Sequence, residues 1–285
     1  MTRPGLNAPV RRVEVHRPDA VLSCLDGGHG DDVVVLLHGL AGSAEEMRPT
    51  ATALLPGHRV IVVDQRGHGH STRRPPDLSR RAYADDVAAV VERLAGGRPV
   101  TLVGQSMGGH TAMLTAAWHP HLAGRLVLLE AGVGGEGGED YPAKLGDWFA
   151  SWPVPFADVP AAAAFLGSTP IARAWIRDLQ ECADGLRPRF EPEVMRAAIA
   201  AVAETARWTE WASVRVPTLL VRGANGTMAE PEARRMLASR PDVSQVVIPG
   251  AGHDAHLERH DAWIAALTAF LSGGRGGPAG GHRRG

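Results

Sequence analysis

Short apolar runs alternate along this chain with longer stretches in which apolar residues recur every three or four positions. The short runs predict strands at 10–16, 21–25, 33–38, 59–64, 100–104, 125–130, 218–222 and 244–248. The periodic stretches predict helices at 43–55, 81–95, 107–118, 231–240 and 255–271. Regular succession of the two kinds argues for a mostly parallel sheet covered by helices. Val33 to Leu37 are all apolar, as a strand buried on both faces must be. The first two strands are joined by a short turn that includes Arg17-Pro18-Asp19, and so are expected to pair antiparallel.

The alternation stops between about residues 132 and 213. That region opens on Gly132-Val-Gly-Gly-Glu-Gly-Gly138 and holds five of the seven tryptophans and four of the five phenylalanines. About 80 residues is too long for a plain loop. The stretch reads as a helical cap inserted after the sixth strand. The expected organisation is a core of residues 1–132 and 214–272, a cap of 133–213 and a disordered tail of 273–285. Most cap aromatics should build the cap's own interior, with a minority lining a substrate pocket.

Composition narrows the field. A hydrophobic content of 44% suits a globular core, and a net charge of −1 gives no reason to expect a nucleic-acid partner. Cys24 and Cys182 stand far apart in no metal or redox spacing and read as free thiols. The first residues lack an apolar signal region, and no apolar run nears the roughly 20 residues of a membrane helix. A cytoplasmic protein without membrane attachment is the expectation, with homodimer formation left open. The 13 histidines include no set with metal-ligand spacing, and no motif asks for a cofactor.

Candidate chemistry centres on Gly104-Gln-Ser106-Met-Gly108, which sits between a predicted strand and a predicted helix. A serine in such a turn is held in a strained conformation with its hydroxyl lifted clear, and flanking glycines avoid the clash of side chains there. A serine hydroxyl needs a base within reach and an acid to orient that base. Gly250-Ala-Gly-His253 follows the last predicted strand and offers His253 as the base. His110, next to the turn, is expected to approach the same pocket, while His68 and His70 read as structural.

From about residue 10 to 272 the chain resembles the α/β-hydrolase superfamily. The resemblance rests on His38-Gly39-Leu40, on Asp64-Gln-Arg-Gly-His-Gly-His-Ser71, on Gly104-Gln-Ser106-Met-Gly108 and on Gly250-Ala-Gly-His253, in that order. It implies an α/β fold with an eight-stranded, mostly parallel sheet, and a histidine that comes last in the chain. It also implies an oxyanion hole from two backbone N–H groups, one of Met107 and one of Leu40, with Ala41 as the alternative. Asp64 and Arg66 would shape the rim of the site.

The same resemblance puts the acid in the loop after the seventh strand. Here that loop reads Arg222-Gly-Ala-Asn-Gly-Thr-Met-Ala-Glu230, with no early carboxylate. Glu130 is the first choice instead, because a glutamate ending an apolar strand is costly to bury without a partner. Glu230 and Asn225 are the alternatives, and Glu130 can also be read as a pocket carboxylate paired with an arginine. An acid at the end of strand six, 24 residues after the serine, is similar to the layout of zearalenone lactone hydrolases. The implied function is a serine hydrolase that cleaves a mostly apolar carboxylic ester or lactone through an acyl-serine. Rival readings are a C–C bond hydrolase or acyltransferase on the same residues, and a ligand-binding receptor with little turnover.

Overall fold

The computed structural model describes residues 10–135, 138 and 140–273. The strands are β1 (Arg11–His16), β2 (Val21–Gly27), β3 (Val33–Leu37), β4 (Arg59–Val63), β5 (Val100–Gln105), β6 (Ala123–Leu129), β7 (Gln180–Cys182), β8 (Gly185–Arg187), β9 (Thr218–Gly223) and β10 (Val243–Ile248). Eight of them form one sheet in the order β1-β2-β4-β3-β5-β6-β9-β10, and β7 and β8 make a separate ribbon. β2 runs antiparallel to both of its neighbours, and every pairing from β4 to β10 is parallel. All eight strands of the main sheet match the runs read from the sequence to within two residues at each end.

The central strands bury both faces. Val33, Val35 and Leu37 enter one core layer, and Val34 and Leu36 enter the other. This is the two-residue alternation of a pleated strand, here with no polar face at all. The first layer is covered by α2 (Arg80–Ala95) and α3 (Met107–Trp118), and the second by α1 (Ala44–Leu54). Ser43 and Ser79 cap α1 and α2 by accepting hydrogen bonds from the N–H groups of Glu45 and Ala82.

Between β6 and β9 lie α4 (Tyr141–Ala150), α5 (Val159–Leu166), α6 (Pro170–Arg177), α7 (Pro192–Ala203) and α8 (Trp208–Ser213). Phe149, Trp152, Phe156 and Phe190 form a buried cluster there, with Trp175 packed against it. Trp208 and Trp211 turn the other way. Trp211 is buried in the main core, and its indole N–H donates to Ser239 Oγ at 2.8 Å.

After β9 come α9 (Glu230–Ala238), β10, α10 (Ala255–Glu258) and α11 (His260–Ser272). The single helix expected over 255–271 is therefore two. The break falls at Arg259, whose backbone leaves the helical region at φ −133° and ψ 51°. Its side chain donates from Nε to the Gly250 carbonyl at 3.2 Å, so the break ties this segment to the loop that carries His253. Among the described residues, no helix is long and apolar enough to cross a membrane, and both cysteines are free.

Candidate active site

The turn between β5 and α3 holds Ser106 at φ 51° and ψ −120°. The flanking glycines are a steric requirement. A Cβ on Gly104 would fall on the Gly108 carbonyl, and a Cβ on Gly108 would fall on the carbonyls of Leu37 and His38. Among the described residues, Ser106 is one of three non-glycine positions in the left-handed region, with Ala41 at φ 57° and Glu130 at φ 49°. Such positions cost about 1–3 kcal/mol each and cluster where geometry serves chemistry.

Ala41 belongs to the loop between β3 and α1. That loop passes close to the serine, since a Cβ on Gly39 would stand 3.4 Å from Ser106 Cβ. His38 fixes the turn. One ring nitrogen, Nδ1, lies 2.7 Å from the Gly39 carbonyl, and the other accepts the Gln65 N–H at 3.0 Å. Leu40 and Met107 pack in the same apolar cluster. Asp64 supports this loop from beneath, accepting the Ala44 N–H at 2.7 Å. Arg66 is taken up by Asp86 and Asp19 at 2.7 and 2.9 Å, so its work is to hold core elements together.

Glu130 follows β6 directly, outside the strand expected to contain it. Its backbone N–H donates to Val221 of β9 at 2.9 Å, and its left-handed φ turns the side chain under the β9 loop. There Oε1 accepts the Gly223 N–H at 2.8 Å. Oε2 accepts the N–H groups of Thr227 and Met228 at 2.7 and 3.1 Å. The carboxylate occupies the space that a side chain at Gly226 would need. Burial pushes the Glu130 carboxyl pKa up, but His253 and the N–H donors of Met228, Gly223 and Thr227 outweigh this and hold it below the usual carboxylate range.

His253 stands across this loop. Its Nδ1 is 2.7 Å from Thr227 Oγ1 and 3.6 Å from Glu130 Oε2. The first is a hydrogen bond. The second is a charge contact too long to be one. Burial lowers the imidazole pKa, yet Glu130, with Asp254 and Glu46 adding, leaves it raised above the ordinary histidine value. The Gln105 side chain, next to the serine, donates to the His253 carbonyl at 3.2 Å. Ser106 Oγ and the His253 ring border the same cavity without a direct hydrogen bond to one another.

That cavity measures about 400 Å³, within the usual range for a small-molecule site. Ser106, Glu130, Thr227 and His253 form its polar edge, and Tyr141, Ile199, Val202 and Ala203 reach it from the segment between β6 and β9. No tryptophan or phenylalanine of that segment borders it, which corrects the expectation that a minority would. They stack on one another instead, and α7 turns its smaller aliphatic side chains inward. Glu230 opens α9 and pairs with Arg234 on the surface at 3.6 Å, and Asn225 is exposed, so neither alternative acid borders the cavity. His110 does border it.

A profile of the alpha/beta hydrolase family matches residues 34–267. The chain belongs to the alpha/beta hydrolase family. It is 31% identical over 263 residues to the mouse sn-1-specific diacylglycerol lipase ABHD11, covering 87% of this chain and 83% of that protein. It is 28% identical over 277 residues to the 2-(acetamidomethylene)succinate hydrolase of Mesorhizobium japonicum, covering 92% and 94%. A crystal structure of E-2-(acetamidomethylene)succinate hydrolase superimposes with a TM-score of 0.81 at 25% identity, over 93% of this chain and all of that one. These relatives are hydrolases.

Within this alpha/beta hydrolase, sequence reasoning named Ser106, His253, Glu130, Met107 and Leu40; the first four border the cavity and Leu40 does not. Two contacts of the site were not singled out: Thr227 with the imidazole and Gln105 with the His253 carbonyl. Gly226 was the available signal for the first: a residue without a side chain, at the place where a carboxylate from another strand arrives.

Proposed function

We propose that this alpha/beta hydrolase cleaves a carboxylic ester or lactone through an acyl-serine intermediate. His253 Nε2 takes the proton of Ser106 as Oγ attacks the carbonyl carbon. The resulting imidazolium lies beside the Glu130 carboxylate, which stabilises its charge. The N–H groups of Met107 and Leu40 receive the developing oxyanion, each donor worth about 3 kcal/mol in comparable sites. His253 then gives its proton to the leaving alkoxide, and the same base activates the water that frees the acid. In a lactone the alcohol stays tethered to the acyl group. The serine–imidazole contact tightens in the substrate complex, as such contacts commonly do.

One observation carries this reading. Ser106, Glu130 and His253 come from three distant segments and border a single cavity, and two of them sit at left-handed backbone positions. The apolar lining by Met107, Ile199, Val202 and Met228 favours a substrate with a substantial apolar part, under a lid formed by α4 and α7. The lipase among the relatives has an ester substrate, which agrees with this class. The test is labelling by a fluorophosphonate together with turnover of a p-nitrophenyl ester panel. Both should vanish in Ser106→Ala with the thermal midpoint kept. Turnover that survives the substitution removes Ser106 from the chemistry.

A further inference from the structure

We infer that Thr227 is a positioning residue, its hydroxyl linking Glu130 to His253 and selecting the imidazole tautomer that can act as a base. The inference rests on the reading of Ser106 and His253 as nucleophile and base.

Thr227 Oγ1 lies against both Glu130 and His253. Glu130 Oε2 lies 3.6 Å from Nδ1, whereas Thr227 Oγ1 lies 2.7 Å from Nδ1 and 3.5 Å from the same Oε2. Glu130 is held as an anion beneath the loop, with Oε2 receiving the N–H groups of Thr227 and Met228 and Oε1 that of Gly223. Thr227 fixes the carboxylate with its main chain and the imidazole with its side chain.

The hydroxyl's one proton decides the tautomer. If it pointed to Nδ1, the oxygen's lone pairs would face a carboxylate and Nε2 would carry the ring proton, unable to accept from Ser106. If it points to Oε2, the hydroxyl accepts from Nδ1–H and leaves Nε2 free as a base. The negative charge of Glu130 favours the second arrangement. During the reaction the serine proton moves to Nε2 and on to the leaving alkoxide, while Nδ1–H and the threonine O–H stay where they are. Thr227 passes on orientation and polarisation, and no proton crosses it.

The experiment compares Thr227→Val, Thr227→Ser and Glu130→Gln in the full chain, with p-nitrophenyl butyrate as substrate. Valine keeps the shape and the backbone N–H but loses the hydroxyl. Thr227→Val should lower kcat by about 10- to 100-fold with KM within about twofold, a loss typical of a misdirected base. The acid limb of its kcat/KM profile should move to lower pH, because the imidazolium has lost an acceptor. Thr227→Ser should stay within about threefold of the parent, since it restores the hydroxyl. The inference is overturned if Thr227→Val keeps its kcat and pH limb, or if serine is as impaired as valine. Should valine unfold the loop, Thr227→Ala against Thr227→Ser makes the same comparison. Loss in Glu130→Gln with none in Thr227→Val sinks the linking role and leaves the triad standing; turnover in Ser106→Ala sinks the triad itself.

Discussion

The carboxylate of Glu130 and the guanidinium of Arg80 are both shut away from water near Ser106, and they are housed in opposite ways. Glu130 receives three backbone N–H groups and has an imidazole beside it. Arg80 gives Nη2 to Thr111 and to the Met107 carbonyl and stacks over the Tyr83 ring at 4.5 Å, but its Nε and Nη1 are buried without a partner. Burial pushes its pKa down to about 10. His110 is also buried, and burial together with Arg80 and Arg207 drives its pKa well below the ordinary value. The contrast shows what burying a charge requires. On the β9 side, donors convert an expensive group into a fixed anion that keeps its charge. On the α2–α3 side the cost is left in place.

The comparison can be attacked from both ends. The largest effect is expected for Glu130→Gln. The amide cannot stabilise an imidazolium and turns an NH2 toward N–H donors, so kcat should fall by about 10²–10⁴-fold in an ester assay. Unfolding should also come about 1–3 kcal/mol more easily in urea. Next is an exchange of addresses. Gly226→Asp alone should cost about 3 kcal/mol, because two carboxylates would claim one space. Combined with Glu130→Gly, the aspartate stands where the glutamate was, and kcat should recover at least about tenfold over Glu130→Gly. No recovery would mean that the backbone at 130, and not merely the carboxylate, is needed. Third, Arg80→Met removes a charge that lacks a counter-ion among the described residues, and should leave stability unchanged or raise it by about 1–3 kcal/mol in the same urea titration. A large loss would show that Arg80 is better satisfied than its neighbours suggest.

The smallest effect is on pH dependence. The raised imidazole pKa puts the acid limb of kcat/KM above the ordinary histidine value of 6.5, and Glu130→Gln should move it to lower pH. The signs for stability agree. Raised His253 contributes fully below 6.5 and loses its contribution as pH climbs through its folded value. Depressed Glu130 contributes above 4.5 and loses it as pH falls through its own folded value. The pair should therefore support the fold most between those two values, which thermal midpoints across a pH series would reveal.

Much of this was legible in the sequence, for identifiable reasons. Strands buried on both faces, such as Val33–Leu37, leave an unbroken apolar run. The serine turn is local, so its glycines fall at fixed spacing. Glu130 was conspicuous because an acid at the end of an apolar strand needs a partner. What stayed hidden depends on contacts between distant segments. No local pattern tells that Gly226 makes room for a carboxylate 96 positions earlier in the chain, or that a threonine beside it meets His253. The break at Arg259 was missed because helical periodicity runs through it. The tryptophans were read as one group by proximity in sequence, yet Trp211 faces the main core while Trp152 faces its neighbours in the inserted segment.

The three left-handed residues carry a consequence for anyone who would make this protein hardier. At about 1–3 kcal/mol each, Ala41, Ser106 and Glu130 together hold strain comparable to the whole net stability of an ordinary domain. Glycine at 41 or 106 would relax the chain at no steric expense, whereas glycine at 130 would leave three buried N–H groups without their acceptor. A library screened only for survival of heat should therefore enrich glycine at 41 and 106 while keeping Glu130, and yield sturdy proteins that no longer turn over ester.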